Sequence, residues 1–171
     1  MIVFRDVERS DLPKVGDLLV VTWHATYDAI LGPARVTEIT ESWHSVAILG
    51  RQLGVPETAF LLAEDRGDVV AAAYATAAEN GSIMLRQLYV LPSAQGRGTG
   101  RVLLDETVAR FPGAPSVRLE VEPKNVSAIR FYERNGFRPI ATAASCGGRS
   151  DLAALIMEKA LTPSARRSRE G

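Results

Sequence analysis

The chain has 171 residues, 46% of them hydrophobic, and its 20 Lys and Arg balance 20 Asp and Glu; this suits one globular domain with a sizeable core and gives no support for nucleic-acid binding through overall charge. No apolar run approaches the ~18 residues of a membrane span, and Met1-Ile2-Val3-Phe4-Arg5-Asp6 lacks the charged-then-apolar layout of a signal peptide. The lone cysteine, Cys146, cannot form an intrachain disulfide, and His24 and His44 lie far apart without a Cys/His cluster at ligand spacing, so a cytoplasmic chain without a metal is expected.

Ile2–Arg5 reads as a first strand. Asp11-Leu12-Pro13 then opens a helix, with Asp11 as cap and Pro13 in the first turn. Leu19, Trp23 and Tyr27 recur at helical spacing until Gly32-Pro33 ends the helix. A second helix is predicted from Ala34 to Leu49. From Ala59 the period changes: Phe60–Ala63 and Val69–Tyr74 read as strands joined by a turn over Glu64–Asp68. Ile83–Leu91 is a third run, stopped by Pro92. A glycine loop and a helix from Val102 to Phe111 follow, then a strand at Val117–Val121. Asn125 caps another helix that closes at Asn135-Gly136. Phe137–Thr142 and Leu152–Glu158 read as the last strands, and 162–171 as a disordered tail, leaving one domain over 1–161. The order β, α, α, β, β, β, α, β, α, β, β predicts an α/β (α+β) fold, a mixed sheet with helices on its faces.

The loop Gln95-Gly96-Arg97-Gly98-Thr99-Gly100 stands between a strand and an amphipathic helix. The first N–H groups of a helix lack internal partners and face a favourable dipole, so this is a place for a phosphate. Gly96, Gly98 and Gly100 permit close backbone approach, and Arg97 and Arg101 flank the loop with positive charge. A Walker loop needs Gly-Lys-Ser/Thr where this chain has Thr99-Gly100-Arg101, and neither Gly96 nor Gly98 starts a G-x-G-x-x-G fingerprint. By itself the loop also reads as a turn without a ligand.

A second motif follows: Asn125-x-x-Ala128-x-x-Phe131-Tyr132-x-x-x-Gly136-Phe137. Together with Gln95-x-x-Gly98-x-Gly100 and the preceding Leu88-Tyr89-Val90-Leu91-Pro92, it resembles the GNAT superfamily of N-acetyltransferases. The resemblance is strong from Gln87 to Phe137 and looser elsewhere. It implies a mixed, mostly antiparallel twisted sheet of about seven strands flanked by about four helices. It also implies acetyl-CoA as co-substrate, with no metal, and a primary amine as acceptor, a small molecule in preference to a protein. Transfer would be direct, in a ternary complex, and the fold admits a homodimer. A non-catalytic acyl-CoA-binding sensor or interaction module of the same fold is the alternative.

Carried over position by position, the resemblance implies that Leu88, Tyr89 and Val90 offer backbone groups to the pantetheine arm. Gln95, Gly96, Arg97, Gly98, Thr99, Gly100 and Arg101 would hold the pyrophosphate, and Asn125 would touch the co-substrate at its helix start. Tyr132 would be the general acid and Glu120, five residues before Asn125, the general base. A backbone N–H near Val90 or Leu91 would meet charge developing on the thioester oxygen. Cys146 has no neighbouring histidine to activate it. Among Trp23, His24, Tyr27, Trp43 and His44 on the acceptor side, Tyr27 is the candidate to line a pocket, because it nears the helix end at Gly32-Pro33.

Overall fold

The computed structural model describes residues 1–144 and 153–162. Strands β1 (Ile2–Asp6), β2 (Thr58–Asp65), β3 (Asp68–Ala77), β4 (Ile83–Val90), β5 (Ser116–Val121), β6 (Arg138–Ala143) and β7 (Ala154–Ala160) form one sheet in the order β1-β2-β3-β4-β5-β7-β6. Every pairing is antiparallel except β4–β5. Helices α1 (Leu12–Leu31), α2 (Pro33–Trp43), α3 (Val46–Gly50), α4 (Thr99–Ala109) and α5 (Val126–Arg134) complete the fold. Four of them have nine residues or more, and α3 is little over one turn.

Both faces of the sheet centre are covered. Leu12, Val15, Leu18 and Leu19 of α1 pack with Phe60, Leu62, Ala72 and Tyr74 on the front. Leu103 of α4 packs with Ala59, Leu61, Ala63, Ala71 and Ala73 on the back. The strand read Ala71-Ala72-Ala73 has small side chains on both faces, which leaves room for helices above and below. Strand β5 alternates instead: Val117, Leu119 and Val121 are buried against α5 on the back, while Arg118 and Glu120 are exposed on the front.

Four expectations change. The helix predicted over Ala34–Leu49 is two helices, because Ser45 is extended (φ −65°, ψ 151°) and its hydroxyl accepts the Ile48 N–H at 3.3 Å, capping a new turn. Asp11 does not cap α1 with its side chain. Its carboxylate instead accepts from Arg5 Nη1 (2.7 Å), Arg5 Nη2 (2.9 Å) and the Glu8 N–H (2.8 Å). Helix α4 begins at Thr99 rather than Val102, so the end of the glycine loop is already its first turn. The last strand is shifted to Ala154–Ala160. Cys146, the predicted strand start at Leu152 and the tail residues 163–171 lie outside the described residues.

The Asp11 site ties β1 to β2, since Arg5 Nη2 also donates to Glu64 at 2.8 Å. The Arg5 guanidinium, and then the Glu8 amide, hold the Asp11 carboxyl below its ordinary range against the opposing effect of burial. A folded-state pKa below the unfolded one contributes stability above the unfolded value, and that contribution is lost as pH falls through the folded value. Asp11→Asn is therefore expected to cost about 1–2 kcal/mol in urea denaturation at pH 7, at the modest end because Arg5 is about a third exposed. The gap should narrow below pH ~4; a gap independent of pH would remove the ionic part of this account.

Candidate active site

Strands β4 and β5 pair only over Ile83↔Val117, Met84↔Arg118 and Leu85↔Leu119. Beyond that point a bulge interrupts the β3–β4 register: Leu85 faces Ala75 and Gln87 faces Tyr74, so Arg86 is the extra residue. Past the bulge β4 stays with β3 while β5 follows β7 to Val121↔Leu155. The two parallel strands part, and a cavity of about 880 Å³ opens between them.

The backbone bordering that gap follows from alternation. The Leu91 N–H donates to Val70 O at 2.9 Å, so Tyr89, two residues back and opposite Ala72, also turns its N–H and C=O to β3. Leu88 and Val90 turn theirs to the gap. The Val90 carbonyl there accepts Gln95 Nε2 at 3.0 Å, which braces the glycine loop against the strand end. The expected backbone roles of Tyr89 and Leu91 are thus corrected, because both face the β3 ladder. The Tyr89 ring points to the front, 6.4 Å from Trp23 and 6.2 Å from His44 between centroids.

Gly96 and Gly98 sit at φ 74° and 80°, where a Cβ would be strained, and α4 starts immediately after. Within α4 the Val102 N–H bonds back to Gly98 O at 3.1 Å. The Thr99, Gly100 and Arg101 N–H groups precede the helical ladder and have no carbonyl within it to reach. A Cβ on Gly100 would stand 3.3 Å from Val90 Cγ2 and 3.4 Å from the Phe131 ring, so glycine here lets α4, β4 and α5 converge. The Thr99 hydroxyl is buried without a hydrogen-bond partner and lines the cavity. Arg101 lines it too, whereas the Arg97 side chain is exposed and outside the lining. Arg97 stands between the two positive-φ glycines with its side chain toward solvent.

Across the gap, Asn125 Oδ1 accepts the Ala128 N–H at 3.2 Å and so caps α5, while Asn125 Nδ2 donates to Tyr27 Oη at 3.2 Å. This contact joins α1 on the front face to α5 on the back through the parted strands. Tyr132 lines the cavity from α5, its ring 5.3 Å from Phe131 and 5.4 Å from Phe137. Burial pushes the Tyr132 phenol well above its ordinary range, and nearby Tyr27 adds to the rise, so it stays protonated. Glu120 lines the cavity from the front face of β5.

The acceptor-side aromatics divide. Tyr27 lines the cavity; Trp23, His24, Trp43 and His44 do not. The Trp23 ring lies 4.5 Å from Tyr27 and 5.6 Å from both Trp43 and His44 between centroids, a largely buried cluster supporting Tyr27 from behind. Burial pulls His44 down to about 4, so it is neutral at pH 7. His24 Nδ1 meets Asp28 at 2.7 Å. Arg86 and Gln87 are among the lining residues that escaped the sequence reading. Their signal was a pair of adjacent polar residues inside an otherwise apolar strand, which is how a bulge reads. Among the described residues no group of three or more His, Cys, Asp or Glu is placed to hold a metal, and no helix is long and apolar enough to cross a membrane.

Comparison with known proteins agrees with this geometry. Residues 56–139 match the family model for the acetyltransferase (GNAT) domain. Over 131 residues the chain is 30% identical to an uncharacterised N-acetyltransferase of Mycobacterium tuberculosis, covering 75% of this chain and 84% of that protein. It is 46% identical over 66 residues to the mycothiol acetyltransferase of Beutenbergia cavernae, a match of 36% of this chain and 22% of the longer protein. Its fold is similar to that of the PaiA N-acetyltransferase of Thermoplasma acidophilum in complex with coenzyme A, with a TM-score of 0.80 at 23% identity over 94% of this chain and 99% of that one.

Proposed function

We propose that this chain, which belongs to the GNAT family of acetyltransferases, moves an acetyl group from acetyl-CoA to a primary amine on a small molecule, by direct transfer within a ternary complex. The observation that carries the reading is the gap between β4 and β5, which ends at one side on the first N–H groups of α4 and is walled by Tyr132.

The residues present fit the co-substrate. The α4 N-terminus and Arg101 suit a pyrophosphate, and the buried Thr99 hydroxyl is a polar group awaiting a partner in the same wall. The backbone of Leu88 and Val90 suits a pantetheine arm laid along the strand as an added strand. Acetyl-CoA supplies an acetyl thioester, whose C–S bond is exchanged for a C–N bond to the amine. The Val90 N–H, facing the gap, donates to the oxygen on which negative charge develops. Tyr132 Oη gives its proton to the departing sulfur, and Glu120 takes the proton released by the amine nitrogen. Asn125 and Tyr27 hold one another across the opening and set the distance between the two faces.

The reading is tested by thermal denaturation with acetyl-CoA, CoA, NAD and ATP in turn. At about 100 times its dissociation constant, either CoA form should add roughly 2.7 kcal/mol, a rise of several degrees. A rise with NAD or ATP and none with either CoA form would overturn it.

A further inference from the structure

We propose that the acceptor is an amine that also carries a carboxylate, and that Arg86 binds that carboxylate; this rests on the cavity being the acetyl-transfer site. The bulge sets Arg86 beside Gln87 on the front face of β4. Because Leu85 pairs with Leu119, Arg86 stands level with Glu120 on the facing strand, at the point where the strands part, and all three residues line the cavity.

The phosphates of acetyl-CoA do not account for Arg86. It precedes Val90 by four residues, about 13 Å of strand, and so lies far from the α4 N-terminus, where Arg101 already stands. Nor do its neighbours. Among the described residues its side chain makes one long hydrogen bond, to Thr76 Oγ1 at 3.4 Å, and no ion pair. The adjacent front-face arginine, Arg118, is by contrast paired with Glu158. A guanidinium so placed presents its planar donors to a carboxylate, which it matches in shape and charge.

The rest of the lining agrees. Among the described residues its charged side chains are Arg86, Arg101, Lys124 and Arg134 against Glu120, and with Arg101 given to the pyrophosphate the balance is still positive. A polyamine would bring more positive charge to a wall already positive, whereas an acceptor with its own carboxylate offsets it. The Gln87 Oε1 atom is buried in the same wall without a hydrogen-bond partner. It is an acceptor suited to an amine N–H, on the residue next to the carboxylate's arginine. The acceptor then lies along the front face, with its amine toward Gln87 and Glu120 and its carboxylate toward Arg86.

The test uses matched sets of α-, β- and γ-amino acids, their carboxamides and the parent amines lacking the carboxyl group, with acetyl-CoA saturating and thiol release as readout. In at least one set kcat/KM for the acid should exceed that for both partners by about 10- to 100-fold. Arg86→Met should collapse that ratio toward one by raising KM for the acid, and Arg86→Lys should keep part of it. The acetyl-CoA thermal shift of each variant checks its fold. An acid no better than its amide in every set, or a preference that survives Arg86→Met, overturns the proposal while leaving acetyl transfer intact. An amide equal to the acid would point to a peptide N-terminus instead. No thermal shift with acetyl-CoA and no amine acetylated would overturn the enzymatic reading and this proposal with it.

Discussion

Tyr132→Phe is expected to lower kcat by about 10²-fold or more while changing acetyl-CoA affinity little. The substitution removes one hydroxyl and keeps the ring between Phe131 and Phe137, so the packing of α5 survives. What is lost, in the proposed mechanism, is the proton donor at the sulfur. A thiol has a pKa near 8.5 in water and a phenol near 10, so donation is slightly uphill there. The cavity alters both sides of that comparison. The burial that pushes the Tyr132 phenol up disfavours any anion at the same wall, including a departing thiolate. The thiolate's demand for a proton rises with the phenol's reluctance to yield one, and transfer coupled to C–S cleavage avoids leaving either charge stranded. Since the phenol remains protonated through the working range, Tyr132 contributes no alkaline fall to the pH–rate profile there. Pre-steady-state and steady-state rates, with binding followed by thermal shift, would check this. Turnover equal to wild type would remove Tyr132 from the acid role.

How much of this was legible in the sequence depends on the range of the interaction. Gly98 at positive φ, Asn125 capping α5 and Gly136 closing it at φ 89° are local backbone requirements, and each was written in the residue itself. The place of Tyr132 on the cavity wall followed because its motif lies on one helix. Ser45 carries a local signal of the same kind, but the single helix predicted over Ala34–Leu49 passed over it, because helical periodicity concealed the break between α2 and α3. The parting of β4 and β5 is different. It depends on which strand each pairs with, β3 for one and β7 for the other, and pairing across such separations leaves no local mark. So the front face of the cavity was read poorly. Arg86 and Glu120 are 34 residues apart in the chain, and only the register Leu85↔Leu119 sets them level. The backbone roles were read by residue name, but which of Leu88, Tyr89 and Val90 faces the gap depends on the ladder phase, revealed by the Leu91–Val70 hydrogen bond.

Glu120→Gln should cost up to about 10²-fold in kcat/KM at neutral pH, and the deficit should shrink as pH rises toward 10. The direction follows from the amine. A lysine-like amine with a pKa of about 10.4 is neutral in roughly one molecule in 2,500 at pH 7, a cost of about 4.6 kcal/mol fixed by bulk pH rather than by any base in the site. A carboxylate does not abolish that cost. It acts when the C–N bond forms, as the nitrogen becomes acidic and must shed a proton within the cavity. Glu120 lies on the cavity wall and is exposed on its front face; in the proposed mechanism it accepts that proton and passes it to solvent. Glutamine keeps the size and polarity but has no basic oxygen. As pH rises, hydroxide takes over the removal of that proton, so wild type and variant converge. Both profiles climb with the free-amine fraction toward the amine's own pKa, the variant's more steeply. Equal rates at every pH would pass the proton to a water chain. A deficit constant with pH would instead make Glu120 a positioning residue for the acceptor's ammonium, in line with the carboxylate-bearing amine proposed above.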